Sequence, residues 1–190
     1  MPRAISALIV AVFLSLTVAA QDNTWQIDPR HSAAQFSVRH LGISTVRGAF
    51  TKVSGSVQYD PANLGKTSIQ ATIEAASIDT RVDMRDNDLR SPNYFDVQKY
   101  PAITFQSKRV EPAGAGKLKV IGDLTIHGVT KEVVLDVDGP SAPIKDPWGN
   151  QRMGASATTK INRMDFGVAG GAGAVGDEIT ITLDIEMTRK

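Results

Sequence analysis

The sequence predicts an all-β fold of antiparallel strands, with one or two short helical segments near residues 83–96. Three observations carry that prediction. Apolar residues recur at every second position through most of the chain beyond residue 30, as in strands with one buried and one wet face. Turn chemistry punctuates the runs, as at Asp60-Pro61-Ala62-Asn63-Leu64-Gly65, Pro112-Ala113-Gly114-Ala115-Gly116 and His127-Gly128. No run is apolar on both faces, as strands of a buried parallel sheet would be.

The elements follow in order. Ser32, Ala34, Phe36, Val38 and His40 alternate with His31, Ala33, Gln35, Ser37 and Arg39. Val46, Gly48 and Phe50 mark a second strand, and Val53, Gly55, Val57 and Tyr59 a third. Ile69, Ala71, Ile73 and Ala75 come next, then Ile103, Phe105 and Ser107. Leu118, Val120, Gly122, Leu124 and Ile126 alternate without a break. Val133, Leu135 and Val137 share a face, as do Met153, Ala155, Ala157, Thr159 and Ile161. The last run is the strictest: Ile179, Ile181, Leu183, Ile185 and Met187, interleaved with Thr180, Thr182, Asp184, Glu186 and Thr188. These make about nine strands. Residues 83–92 lack alternation and suit a helical turn ended by Pro92, with a second turn at Asn93–Asp96. Two long connections remain. Asp138 to Gln151 carries Pro140, Pro143 and Pro147, and Gly167 to Asp177 is rich in Gly and Ala and reads as mobile.

The first twenty residues read as a leader. Arg3 precedes an apolar run from Ala4 to Ala20, and polar Gln21-Asp22-Asn23 follows. That run is shorter than the roughly 20 apolar residues of a spanning helix, and its end is built of small residues. A signal peptide at 1–20 with cleavage after Ala20 is expected, leaving one exported domain at 21–190. Without Arg3 the basic count falls from 21 to 20 against 20 acids, so the mature chain is formally neutral. Neutrality argues against nucleic acid as the partner, since phosphate binding needs a cationic face. The chain has no Cys. Disulfides, thiolate metal sites and thiol catalysis are therefore excluded.

A sheet with one apolar face closes as a barrel or stacks as a sandwich. The inward set includes Ala34, Gly48, Gly55, Ala71, Ala75, Gly122, Ala155 and Ala157. Small inward residues leave room for a ligand in a barrel, or they ease tight bends and close packing. The pattern alone leaves both open.

Most motifs with chemical associations fail on context. Gly171-Ala172-Gly173-Ala174-Val175-Gly176 matches a dinucleotide loop, but that loop must open a helix and a strict strand follows it here. His31, His40 and His127 lack ligand spacing, so no metal is expected. No Gly-x-Ser-x-Gly occurs. Asp83, Asp86 and Asp88 with Arg81, Arg85 and Arg90 read as a self-paired surface rather than an acid–base pair. No catalytic residue is assigned. His40 shares its face with Phe36 and Val38 and is the obvious inward titratable group.

Several stretches together resemble a known family. They are His31-Ser32, Phe36-x-Val38-x-His40-Leu41-Gly42, Gly48-x-Phe50, Ser77-Ile78-Asp79-Thr80, and Arg85-Asp86-x-x-Leu89-Arg90-Ser91. Then come Phe95-Asp96, Lys99-Tyr100-Pro101-x-x-Thr104-Phe105, Gly122-Asp123-Leu124-Thr125-Ile126-x-Gly128-Val129-Thr130-Lys131, Asp146-Pro147-Trp148-Gly149 and Asp165-Phe166. In order and spacing, from about Trp25 to the C-terminus, they resemble the YceI-like family of lipocalin-like polyisoprenoid-binding proteins. The resemblance implies an elongated antiparallel lipocalin-like β-barrel with an apolar tunnel. It implies a bound amphipathic isoprenoid lipid, a polyprenyl phosphate or a long-tailed quinone, with no separate cofactor. The tail is then expected against Phe36, Val38, His40 and Phe50, against Ile69 and Ile73, and against Phe105, Leu118, Val120 and Leu124. Ile161, Phe166, Ile181, Leu183 and Ile185 complete that expected wall. His40 and the segment carrying Arg85, Asp86, Arg90 and Ser91 are the expected head-group region. The leading expectation is a periplasmic carrier or store making transient contact with a membrane. The alternatives are an enzyme or redox accessory acting on an isoprenoid quinone, and a structural barrel with a filled core.

Overall fold

A computed structural model of the chain describes residues 23–190. The expected signal peptide and its cleavage point lie outside those residues. The chain forms β1 (Thr24–Ile27), β2 (Ala33–His40), β3 (Ser44–Phe50), β4 (Val53–Gln58), β5 (Ser68–Glu74), β6 (Ile78–Asp79) and α1 (Asp83–Arg90). It continues as β7 (Ala102–Pro112), β8 (Lys117–Ile126), β9 (Val129–Asp138), β10 (Ile144–Lys145), β11 (Gln151–Asn162) and β12 (Val175–Arg189).

Each of the nine alternating runs forms a strand. The three further strands, β1, β6 and β10, have 4, 2 and 2 residues, too few to display a period. The sheet runs β11-β9-β8-β7-β5-β4-β1-β12, and β12 pairs again with β11 over its length. This closes an eight-stranded antiparallel barrel. β2 extends along β12 beyond β1, β3 pairs with β2, and β6 pairs with β3. The helical expectation holds at α1. Residues 93–96 form turns rather than a second helix.

We call the end bearing the start of β11 the lower end, and the end bearing α1 the upper end. Two packed clusters occupy them. At the lower end Trp25, Ile27, Val53, Val57, Met153 and Met187 pack together. At the upper end Phe50, Ile78, Ile103, Leu124, Ile126, Phe166 and Val168 do so. In register, Met153 faces Met187 and Ile161 faces Ile179. The eight-residue step from Met153 to Ile161 spans about 26 Å at strand rise.

The small inward residues do two jobs. Ala34, Ala71, Ala155 and Ala157 line the interior. Gly48 and Gly122 are instead covered by aromatic rings. A Cβ on Gly48 would stand 2.6 Å from the Phe36 ring, and one on Gly122 2.5 Å from the Phe105 ring. These glycines admit a ring from the adjoining strand.

Candidate ligand cavity

Between the two clusters the barrel encloses a cavity of about 270 Å³. That is close to the lower end of the roughly 300–1,000 Å³ of ligand pockets. All five apolar residues of the β12 alternation, Ile179, Ile181, Leu183, Ile185 and Met187, lie on its wall. Ile69 and Ile73 of β5, Leu118 of β8, and Val133, Leu135 and Val137 of β9 line it too, each half-buried. Inward aliphatic residues that are only half-buried keep part of their surface towards the cavity, even where, like Ile69, Ile73 and Val133, they also pack on a cluster. This argues against the filled-core alternative.

Of the residues expected to meet a lipid tail, Phe36, Val38, Phe50, Ile69, Ile73, Phe105, Leu118, Val120, Leu124, Ile161, Phe166, Ile181, Leu183 and Ile185 lie on this wall. His40 does not. It is the last residue of β2, half-buried, and pairs with Val175 beside a register shift between Val175 and Ile179. The extra residues of that shift lie in β12, while β2 stays in register with β3 through His40 and Ser44. His40 therefore keeps the parity of Phe36 and Val38 but is not on the cavity wall.

The cavity ends above in aromatic rings. Phe50 packs 5.9 Å from Phe36 and edge-on to Phe95 at 5.6 Å, and Leu89, Tyr94 and Phe166 complete the plug. The expected head-group residues stand beside this plug but off the wall, because their polar atoms hold α1 to the barrel. The Arg85 guanidinium donates to the Thr80 hydroxyl and carbonyl at 2.7 and 2.9 Å. Buried Asp86 accepts from the Thr80 amide and hydroxyl at 2.9 and 2.5 Å. Arg90 donates to the carbonyls of Ala76 and Ile78 at 2.8 and 2.6 Å. Ser91 accepts from the Asn93 amide in the turn beyond the helix. Arg85, Asp86 and Arg90 thus brace α1, and none of the four expected head-group residues lies on the cavity wall.

The charged residue that does reach the wall is Arg163, only 5% exposed. Its guanidinium donates to the carbonyls of Val168, Gly170, Val175 and Gly176 at 2.6 to 3.0 Å, and to the Asp177 carboxylate at 3.3 Å. These contacts occupy all five N–H donors of an arginine. They tie down the Gly167–Asp177 connection, which the sequence marked as mobile. Parity held the clue. Thr159, Ile161 and Arg163 continue one inward series, with an arginine where an aliphatic is expected.

A second polar cluster lies at the lower end, off the wall. Arg152 donates to Asp28 at 2.9 Å, to Asp146 at 2.8 Å and to Glu186. His31 Nδ1 stands 2.9 Å from Asp28, in the break between β1 and β2 rather than on a strand face. Hydrogen bonds from His31, the Arg30 amide and Arg152 outweigh burial and hold the Asp28 carboxyl well below the ordinary carboxylate range. Burial would raise Asp146, but hydrogen bonds from Arg152, Asn150 and Trp148 bring it down to about 2. Asp28, His31 and Glu186 offer ligand atoms within 4.8 Å of one another. The Arg152 guanidinium already binds both carboxylates, so a fixed cation fills the role a metal would take.

The model of the YceI-like domain matches residues 25–187. The chain belongs to the YceI-like family. A UPF0312 protein of Vibrio cholerae is 38% identical over 170 residues, covering 88% of this chain and 89% of the relative. Among solved structures, Burkholderia cenocepacia BcnA is similar with a TM-score of 0.74 and 29% identity, over 84% of this chain and 98% of BcnA. A Saccharophagus degradans structure, described as a polyisoprenoid binding domain, shares the fold at a TM-score of 0.67 and 17% identity, over 87% and 98% of the two chains. The lipocalin-like barrel expected from the sequence is thus the fold of this YceI-like chain.

Proposed function

We propose that this YceI-like protein binds a long-chain isoprenoid lipid, tail inside the barrel, and carries or stores it in a periplasm after export. One observation carries the reading: a cavity some eight strand residues long, walled by aliphatic and aromatic side chains, between two packed ends. A long isoprenoid cannot cross water unshielded, and each buried methylene contributes about 0.8 kcal/mol as an upper bound. The polyisoprenoid-binding description of the Saccharophagus neighbour agrees with the reading. Among the described residues the wall holds no carboxylate and no imidazole. An acid–base enzyme acting on the lipid would need such a group, or one of the wall tyrosines Tyr59 and Tyr94, held against an oriented partner. The wall therefore favours binding over catalysis.

The same wall distinguishes the two head-group classes. A phosphate drawn into an apolar cavity requires a cation with unused donors. Arg163 has none left, because its donors hold the 167–177 connection. An uncharged head of the quinone type fits better than a polyprenyl phosphate. The test is native mass spectrometry of mature protein mixed with a long-tailed quinone or a polyprenyl phosphate in detergent. Stoichiometric uptake, tighter for the quinone and without chemical conversion, is expected. Protein that takes up neither lipid refutes the proposal. Multiple turnover of the quinone would replace it with the enzyme reading.

A further inference from the structure

Eight large apolar side chains stand exposed among the described residues, and five lie at the upper end: Leu41, Ile43, Val82, Met84 and Met164. The register explains the grouping. β2 ends and β3 begins where β12 starts, with His40 opposite both Ser44 and Val175. β11 ends at the same level, and Met164 follows it. β6 runs antiparallel to β3, so the chain leaving Asp79 heads towards the same end.

The β2–β3 connection is Leu41-Gly42-Ile43. Leu41 is 57% exposed and Ile43 80%. Leu41 also holds a φ of +51°, a conformation that Asn or Gly adopts readily and a bulky residue seldom does. The tip is fixed nonetheless. The Leu41 amide donates to the Ala174 carbonyl at 2.7 Å, and Arg39 donates to the Gly42 carbonyl at 2.6 Å and the Thr45 hydroxyl at 2.9 Å. A braced turn thus displays two aliphatic side chains to solvent.

Charge gives the partner. No Asp or Glu occurs from residue 29 to residue 59, while the hairpin carries exposed Arg39 and Arg47. Asp79 lies two positions from Arg47 along the β3–β6 ladder, and Asp177 and Glu178 are engaged by Arg163 and Lys160, yet neither Arg39 nor Arg47 forms an ion pair among the described residues. Apolar side chains beside unneutralised cations suit the interface of an anionic bilayer, which demands no shape match. We propose that the β2–β3 tip docks this protein onto an anionic lipid membrane, with Leu41 and Ile43 inserted among the head groups. The proposal rests on the carrier reading, since a bilayer is where the cargo would be loaded or released.

The experiment is co-sedimentation with vesicles of phosphatidylcholine plus phosphatidylglycerol, against phosphatidylcholine alone. The wild type is expected to bind the anionic vesicles, more weakly as salt rises. The double variant Leu41→Asn/Ile43→Ser should bind at least tenfold less. Asn accepts the positive φ, so its melting temperature should not fall. Arg47→Gln should cost about fivefold on anionic vesicles alone. Trp148→Ser, which alters an exposed residue near the lower end, should change nothing. Wild type that ignores anionic vesicles, a double variant that binds like wild type, or loss confined to Trp148→Ser each overturns the proposal. Quinone uptake from detergent keeps the two readings apart. A double variant that loads from detergent but not from vesicles supports the docking tip. Wild type that fails to load from detergent refutes the carrier while leaving the vesicle result to judge the tip.

Discussion

Replacing Arg163 by Met should release the connection it holds and soften the upper end of the barrel. The guanidinium is buried, and its donors satisfy the carbonyls of Val168, Gly170, Val175 and Gly176 as well as Asp177. Met fills comparable space but donates nothing. Several carbonyls then lose their partner at once, each costing about 1–3 kcal/mol where water cannot reach it. Gly170 is half-buried and Asp177 exposed, so water recovers part of the loss. We expect a net destabilisation of about 3–5 kcal/mol, in line with breaking a buried charged network. For a chain of this size that lowers the melting temperature by about 6–20 °C. Arg163→Lys should fall between, because three donors cannot serve five acceptors. Denaturant titration gives the stability, and amide exchange across 167–177 gives the local effect. A Met variant within about 0.5 kcal/mol of wild type, with unchanged exchange there, would refute the reasoning.

Three other expectations follow. Leu183→Asp places a carboxylate on the cavity wall and should cost several kcal/mol or force its protonation, whereas Thr182→Asp, on the outer face, should shift stability by about 0.5 kcal/mol. Equal melting temperatures for the two would show that the register is wrong. Asp28 and Asp146 both titrate below the ordinary carboxylate range in the folded protein, so their contribution is complete above about pH 4 and lost as pH falls towards about 2. The urea midpoint should drop across that window, and Arg152→Met should flatten the drop. Exported protein should begin at or near Gln21, and N-terminal sequencing that finds Met1 on the soluble mature form would refute the leader.

What the sequence revealed depended on how far a period could run. β12 alternates without exception, and its five inward residues all reach the cavity. Two- to four-residue strands such as β6 and β1 have no room for a period and gain their place from partners distant in the chain. His40 keeps the parity of Phe36 and Val38 yet is not on the wall, because alternation gives a face and not how far along the strand a cavity runs. Arg85 and Arg90 looked available because sequence shows a charge but not the carbonyls it turns towards. Arg163 lay in plain parity with Ile161. Its work is nonetheless done on backbone oxygens, which every residue carries and no sequence pattern marks.

The cavity also bears on how the protein responds to compression. A volume of 270 Å³ per molecule is about 160 mL per mole, above the usual unfolding volume change of about 20–100 mL/mol. Unfolding eliminates internal voids, so hydrostatic pressure should unfold an empty barrel more easily than a loaded one. A tail that fills the space between Met153 and Ile161 would serve as the missing middle of the hydrophobic core. Cargo release would then be a mechanical event as well as a chemical one, leaving behind a more compressible protein.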